Sequence, residues 1–149
     1  MSGETLDLER LRAKGPVVLD VWATWCKPCL AAVPEMDTLW RTYRERGLTV
    51  IGVSEDGSRN RSKVLPFATR VGISYPIVLD ADESLQRRFQ VRALPTSVLI
   101  GRDGRIVSFT QGYRSGETAA LEAAMKSLLD EAPNTGVRNN APDSSGSHP

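Results

Sequence analysis

The stretch that decides the fold runs Val17-Val18-Leu19-Asp20-Val21-Trp22-Ala23-Thr24-Trp25-Cys26-Lys27-Pro28-Cys29. It opens with an apolar run, rich in β-branched residues and interrupted by one aspartate, which is typical of a buried strand. Two cysteines separated by two residues follow, and a segment with helical periodicity begins beyond them. The sequence therefore predicts a strand that delivers a C-x-x-C pair to the first turn of a helix.

A helix start is a place where a thiolate is stable. The first N–H groups of a helix have no partner within it, and the helix dipole leaves about half a positive charge there. We expect this charge to lower the pKa of the Cys26 thiol below its free value of about 8.5, with the sulfur exposed. Lys27 adds a cation, and Pro28 suits the first turn, where a missing N–H costs nothing. Cys29 lies one turn further on the same face and can close a disulfide, so we predict that Cys26 attacks and Cys29 resolves.

Length and composition exclude several classes of protein. The chain has 149 residues, one domain's worth, and 19 Lys and Arg against 18 Asp and Glu give a formal net charge of +1. This balance argues against binding to nucleic acid or to an acidic membrane surface. Two cysteines cannot build a disulfide framework. No apolar run approaches the ~20 residues of a membrane span, and the N-terminus lacks the apolar core of a signal peptide. As it stands, the sequence predicts a cytoplasmic monomer.

The hydrophobic pattern predicts an α/β domain over residues 1–131. Strands joined through helices should be parallel with right-handed crossovers, while a late hairpin around Asp103-Gly104 should be antiparallel. The predicted sheet is therefore mixed and covered by helices on both faces. Residues 132–149 are rich in Pro, Asn, Ser and Gly, which predicts a disordered tail. The predicted elements are strands at 17–23, 48–53, 77–79, 96–100 and 105–110, and helices at 26–46, 64–71, about 80–89 and 117–131.

Two motifs together resemble the thioredoxin superfamily. They are the run from Asp20 to Cys29 and the later Ala93-Leu94-Pro95-Thr96. The branch that the chain resembles is the TlpA-like or ResA-like thiol–disulfide reductases, and the segment Tyr75-Pro76-Ile77-Val78-Leu79-Asp80 is similar to an insertion typical of that branch. The similarity covers Gly3 to Asp130. It implies a thioredoxin-like fold with this insertion ahead of a cis-proline segment.

One departure bears on the compartment. TlpA-like proteins normally begin with a strand upstream of the segment matching Gly3 to Leu8, and most are exported or anchored. This sequence starts later and carries no export signal. We therefore expect a trimmed cytoplasmic member, and a periplasmic or other extracytoplasmic one if an upstream export segment was lost.

The resemblance also implies how a substrate is held. Pro95 should be cis and face the cysteine pair, so that the backbone of Leu94 pairs with an extended substrate segment, as in strand addition. The alternative is a trans proline that opens an edge strand. Gly112 matches a glycine that lets a substrate backbone approach closely, or is simply a turn glycine. Trp25 is expected to contact partners at the surface rather than pack in the core.

Three acidic residues are candidates for proton transfer. Asp20 lies on an otherwise apolar strand, and burial would raise its pKa and let it take the proton from Cys29; a wet strand edge is the alternative. Thioredoxin has an acid at the matching place, whereas many TlpA-like relatives do not. Glu55 falls where TlpA-like reductases often carry an active-site glutamate, although Asp56 could occupy that place instead. A solvated loop acid is an equally good interpretation of Glu55.

The resemblance implies a two-step thiol–disulfide exchange with no metal and no organic cofactor, since the Cys26–Cys29 disulfide is itself the redox group. Its partners would be disulfide-containing protein substrates and an upstream thiol electron donor. We predict reduction of substrates as the direction, although Lys27-Pro28 shifts the pair somewhat toward oxidising character.

Two other interpretations compete with a redox enzyme. C-x-x-C is a common metal half-site, but four-coordinate zinc needs two more ligands, and the only histidine, His148, lies in the predicted tail. Alternatively, the pair is a structural staple in a redox-inert interaction module. Closing so short a loop adds little stability, a few kcal/mol at most.

Overall fold

The computed structural model describes residues 6–131, so the predicted tail at 132–149 lies outside the described residues. Ten helices and strands follow one another, with 3₁₀ turns at Arg44–Arg46 and Ser58–Asn60. All five predicted strands are present within a residue or two of their predicted bounds. The elements are α1 (Leu8–Lys14), β1 (Val17–Trp22), α2 (Cys29–Tyr43), β2 (Thr49–Ser54), α3 (Arg61–Val71), β3 (Ile77–Leu79), α4 (Ser84–Arg88), β4 (Thr96–Ile100), β5 (Ile106–Gln111) and α5 (Glu117–Asp130).

The strands form one mixed sheet in the order β3-β2-β1-β4-β5. β1 lies at its centre and pairs parallel with β2 and antiparallel with β4. β3 extends the parallel side, and β5 extends the antiparallel side as the second strand of the predicted hairpin. Every residue of β1 is buried, because the strand has a neighbour on each side and helices on both faces.

The alternation of β1 side chains distributes the core between the two faces. Val18 packs with residues of α2 and α5, and Trp22 packs with α3, where its ring stacks on Phe67 at 5.1 Å between centroids. Val17 and Leu19 point the other way, toward apolar residues of α1 and α4. A strand with period-two alternation can supply both faces only if each is covered. The predicted thioredoxin-like layering is therefore confirmed.

Helix α2 begins later than predicted. The periodicity suggested a start at Cys26, but the helix begins at Cys29, with Pro28 as the residue before it. The Cys26 N–H donates back to the carbonyl of Ala23, which closes a turn rather than a helix. A proline disfavours helical backbone angles in the residue before it, here Lys27, so Pro28 marks the boundary. Cys26 thus precedes the helix, and Cys29 is its first residue.

A close backbone approach joins the end of α1 to the turn before β2, and it can be tested by substitution. A Cβ on Gly15 would overlap the carbonyl oxygen of Gly47, a backbone atom that cannot move independently. We expect Gly15→Ala to lower the free energy of unfolding by about 2–3 kcal/mol, as overpacking does in well-packed sites. Urea denaturation would measure this loss.

The matched control is Gly57→Ala. This glycine has φ −63°, and a methyl group added to its Cα would meet nothing within 4 Å. Its substitution should leave the free energy of unfolding unchanged or raise it by up to about 1 kcal/mol, because alanine lowers the conformational entropy of the unfolded chain. Equal stability of the two variants would show that the contact between Gly15 and Gly47 is not tight.

Candidate active site

The two cysteines are joined in a disulfide at the carboxyl end of the central strand. Their Cα atoms lie 5.4 Å apart. The N–H of Cys29, the first residue of α2, donates to the Sγ of Cys26 at 3.3 Å. In the reduced protein the same donor would face the Cys26 thiolate and stabilise its charge.

The disulfide is more enclosed than predicted. Cys26 is 6% exposed and Cys29 is fully buried, so the expectation of an exposed sulfur is wrong for this disulfide state. The reason is tertiary packing, because Leu94, from the segment ahead of β4, packs against the cluster that contains both cysteines. Trp25 is 63% exposed, in keeping with the predicted surface position.

Cys26 opens onto a groove of about 520 Å³, which we call the cysteine groove. One wall is formed by Trp25 to Pro28, and the other by Arg92 to Leu94. Glu55 and Glu83 also line it. The groove therefore brings Trp25, Lys27, Pro28, Leu94 and Glu55 of the predicted site together beside Cys26.

The peptide bond between Leu94 and Pro95 is cis, as the resemblance implied. Two hydrogen bonds hold this loop: Thr96 Oγ donates to the carbonyl of Ala93 at 2.6 Å, and the Gly112 N–H donates to the carbonyl of Pro95 at 2.8 Å. No hydrogen bond among residues 6–131 uses the N–H or the carbonyl of Leu94. The backbone of Leu94 is therefore free to pair with another chain.

Gly112 follows β5 with φ +82°, a conformation that glycine adopts without strain, and nothing lies within 4 Å of the place where its Cβ would be. The turn alone thus accounts for a glycine at this position. The open space is equally compatible with the close approach of a substrate.

Gln111, the last residue of β5, holds this loop from outside, a contact that the sequence did not indicate. Its side-chain oxygen accepts from the N–H groups of Arg92 at 2.7 Å and Ala93 at 3.2 Å. It therefore anchors the wall of the cysteine groove to β5. No local signal could have indicated this, because the partners lie 19 and 18 residues away.

Asp20 lies in the core, on the central strand that precedes the two cysteines. It is 2% exposed on the central strand, so the alternative of a wet strand edge is wrong. The hydroxyl of Tyr75, itself 3% exposed, donates to its Oδ2 at 2.7 Å. Burial raises the pKa of Asp20 to about 6, although the Tyr75 hydrogen bond lowers it. The predicted perturbation by burial is present, and Tyr75 is a partner that the sequence did not reveal.

Asp20 borders a small cavity of about 40 Å³. Pro95 and Gly112 line it, together with Ala32, which follows Cys29 by nearly one helical turn. A cavity of this size with a carboxyl group in its wall can hold a water molecule. Asp20 is thus placed with the cis-proline loop and the helix that begins at Cys29, rather than in the cysteine groove.

Glu55 faces the cysteine groove with a strongly perturbed carboxyl group. Burial, the nearby carboxyl of Asp80 and smaller effects from Glu83 and Asp56 together raise its pKa to about 8. Neither side-chain oxygen of Glu55 has a hydrogen-bond partner in the geometry of the described residues. With no donor to its charged form, the Glu55 carboxyl favours the protonated state at neutral pH.

Asp56, the alternative to Glu55, has a different position. It is fully buried and accepts hydrogen bonds from the Thr24 N–H at 2.9 Å, from the Thr24 hydroxyl, and from Ser54 Oγ at 2.8 Å. It ties the end of β2 to the loop that carries Trp25 and Cys26. Of the two neighbouring acids, only Glu55 lines the cysteine groove.

Neither a metal site nor a membrane span is found within residues 6–131. No three His, Cys, Asp or Glu side chains in this part of the chain converge as a metal site would require. None of the helices described combines the length and the hydropathy needed to cross a bilayer.

Comparison with known proteins agrees with this geometry. Residues 1–109 match the AhpC/TSA family. The chain is 33% identical over 128 residues to the thiol-disulfide oxidoreductase ResA of Bacillus thuringiensis, covering 86% of this chain and 71% of that protein. It is 36% identical over 132 residues to ResA of Halalkalibacterium halodurans, covering 89% of this chain and 72% of that protein.

A crystal structure with a similar fold is that of a thioredoxin-family thiol:disulfide interchange protein from Chlorobium tepidum. The TM-score is 0.67 at 28% identity, covering 80% of this chain and 83% of that one. The paired cysteines at the end of a central strand thus occur in a chain that aligns with redox proteins over most of its length. The protein belongs to the AhpC/TSA family of the thioredoxin superfamily and is a thiol–disulfide oxidoreductase related to ResA.

Proposed function

We propose that the protein is a TlpA-type reductase, which transfers two electrons from its Cys26–Cys29 dithiol to disulfides in protein substrates. The observation that carries the proposal is the N–H of Cys29 directed at Cys26 Sγ, 3.3 Å away. This donor favours the thiolate at Cys26 over a neutral thiol, and the thiolate is the nucleophile in exchange. No metal or organic cofactor takes part in the proposed reaction, and an external dithiol regenerates the reduced pair.

The first step is attack by the Cys26 thiolate on one sulfur of the substrate disulfide. A bond forms between Cys26 Sγ and that sulfur, the substrate S–S bond breaks, and the other substrate sulfur leaves as a thiolate. In this proposal Glu55, which lines the cysteine groove and favours its protonated form, supplies the proton that this leaving group takes up. The backbone of Leu94 holds the substrate segment extended, and Trp25 covers its apolar part.

The second step releases the substrate. Cys29 loses its proton to the Asp20 carboxylate, directly or through a water in the small cavity, and its thiolate attacks Cys26 Sγ. The mixed disulfide breaks, the second substrate sulfur leaves as a thiolate, and the Cys26–Cys29 disulfide remains. The substrate has gained two electrons and the enzyme has lost them. Tyr75 holds the Asp20 side chain in place during this step.

Two measurements test this function and its direction. With an excess of dithiol, the protein should reduce insulin disulfides catalytically, which a structural staple does not do. Its reduction potential should lie near the value of thioredoxin, about −270 mV, rather than that of DsbA, about −120 mV. The physical reason is that Cys26 Sγ has one backbone donor and an exposed neighbouring Lys27, which together stabilise the thiolate only moderately.

Absence of insulin turnover would refute the enzyme function altogether. Turnover with a potential above about −150 mV would retain the exchange chemistry but reverse its proposed direction. A cytoplasmic location, or an extracytoplasmic one if an export segment precedes the chain, stays a prediction from the sequence, and so does the monomeric state.

A further inference from the structure

A second groove, of about 530 Å³, lies on the other side of Trp25 from the cysteine groove. We call it the α3 groove, because residues at the start and middle of α3 form most of its wall, including Pro66 and Phe67. The two grooves share Trp25 and no other lining residue. A chain segment bound at Cys26 can therefore continue past the exposed indole into the α3 groove.

The charge of the α3 groove has one sign. Lys63 and Arg70 are the only charged residues that line it. Together with Arg59 and Arg61 they form a basic cluster, because residues 58–71 contain no aspartate or glutamate. All four side chains are exposed, and none of them forms an ion pair within residues 6–131. The cluster thus has uncompensated positive charge at the edge of the substrate path.

The position of two of these cations is unfavourable for the helix itself. Arg61 and Lys63 lie in the first turn of α3, where the helix dipole is already positive and where acidic residues would be stabilising. Arg70, by contrast, is held in the groove, with its guanidinium 5.6 Å from the Phe67 ring centroid. An anionic partner would relieve the repulsion at the helix start and pair with a cation that is already in place.

The cysteine groove carries a weaker bias. Lys27 and Arg92 are opposed there by Glu83, while Glu55, whose pKa is raised to about 8, favours its neutral form. Any preference for substrate charge should therefore come mainly from the α3 groove, which has no acidic lining residue.

From this asymmetry we infer that the α3 groove binds an acidic segment next to the reactive disulfide of the protein substrate, so that substrates with Asp or Glu beside one cysteine are selected. The carboxylates pair with Lys63 and Arg70, while apolar residues pack on Trp25. The inference rests on the proposed disulfide reduction and specifies its substrate class.

The test uses two disulfide peptides that are identical except for three flanking residues, aspartate in one and lysine in the other. Wild-type protein is compared with Lys63→Gln/Arg70→Gln at low and high salt. The control, Arg10→Gln/Lys126→Gln, removes the same charge from two exposed residues that line neither groove. Turnover of uncharged 2-hydroxyethyl disulfide reports on folding and on the chemistry itself.

We expect wild type and control to reduce the aspartate peptide with a kcat/KM at least about fivefold above that of the lysine peptide, as two exposed ion pairs allow. This preference should disappear in Lys63→Gln/Arg70→Gln and at high salt, with turnover of the uncharged disulfide unchanged. Equal rates for the two peptides in wild type would overturn the inference. So would a loss of the preference in the control as large as that in Lys63→Gln/Arg70→Gln. Failure to reduce any of the three disulfides would instead refute the proposed function.

Discussion

Cys29→Ala should stop the exchange halfway and leave a substrate sulfur bonded to Cys26. The attacking sulfur keeps its position, and the N–H of residue 29 still faces it, since that donor belongs to the backbone. Only the thiol that resolves the mixed disulfide is missing. Turnover of insulin should fall below about one-hundredth of the wild-type rate, as removal of an essential nucleophile does. Mass spectrometry under non-reducing conditions should find the mixed disulfide, and dithiothreitol should release it.

The control for this trap is Cys26→Ala. Cys29 is fully buried in the structure, whereas Cys26 opens onto the cysteine groove. The remaining thiol should therefore capture no substrate. A mixed disulfide on Cys29 in this variant would show that Cys29 can attack the substrate. The proposed roles of the two cysteines would then be reversed. In the Cys29→Ala protein the trapped species also identifies the physiological partner.

Asp20→Asn should slow the second step by about 100-fold, within the range that general base catalysis contributes, and leave the first attack unaffected. Because the pKa of Asp20 is raised to about 6, the wild-type carboxylate can accept a proton only above that pH. The rate of resolution should rise as pH increases through 6 and then level off. The variant should lack this inflection. Stopped-flow Trp fluorescence after mixing with a disulfide peptide separates the two steps.

The same substitution should make the protein more stable at neutral and higher pH. The folded pKa of Asp20, about 6, lies above its ordinary value of 3.8, so the native state binds this proton more tightly than the unfolded chain does. The stability that the native state gains from this tighter proton binding is complete below pH 3.8. It is lost as the pH rises through 6. The stability advantage of Asp20→Asn over wild type should therefore grow by about 2 kcal/mol between pH 4.5 and 8.

Tyr75→Phe provides the control for both effects. It removes the hydrogen bond that lowers the pKa of Asp20, so the inflection in the rate should move to a pH above 6 rather than vanish. An Asp20→Asn resolution rate equal to that of wild type at every pH from 6 to 9 would exclude Asp20 as the base. An inflection that stays at the same pH in Tyr75→Phe would show that this hydrogen bond does not tune it.

From β1 onward, the order of helices and strands could be predicted from the sequence because its signals are local; the helix α1 was not predicted. A continuous apolar run marks β1, the Asp103-Gly104 turn marks the hairpin, and Gly47 and Gly72 have the left-handed φ values that end a helix. The disulfide between Cys26 and Cys29 is equally local, since three residues separate the two cysteines. Motif and spacing thus sufficed for the fold class and for the identity of the redox pair.

The bounds of α2 are a feature that local sequence signals did not predict correctly. Apolar periodicity continues back to Cys26, but a turn hydrogen bond to Ala23 and the restriction that Pro28 imposes on the backbone of Lys27 delay the helix to Cys29. The enclosure of Cys26 also depends on Leu94, which reaches it from another part of the chain.

By itself, then, the sequence determined the layered α/β fold, the pair of cysteines that forms the disulfide, and the cis-proline loop. Only the tertiary structure decided where the acids lie and what holds them. Tyr75 reaches Asp20 across 55 residues, and Thr24 binds Asp56 across 32, which leaves Glu55 to line the cysteine groove. The physical reason is that a carboxyl group takes its pKa from burial and from donors around it. Those surroundings exist only once separate strands and helices have packed together.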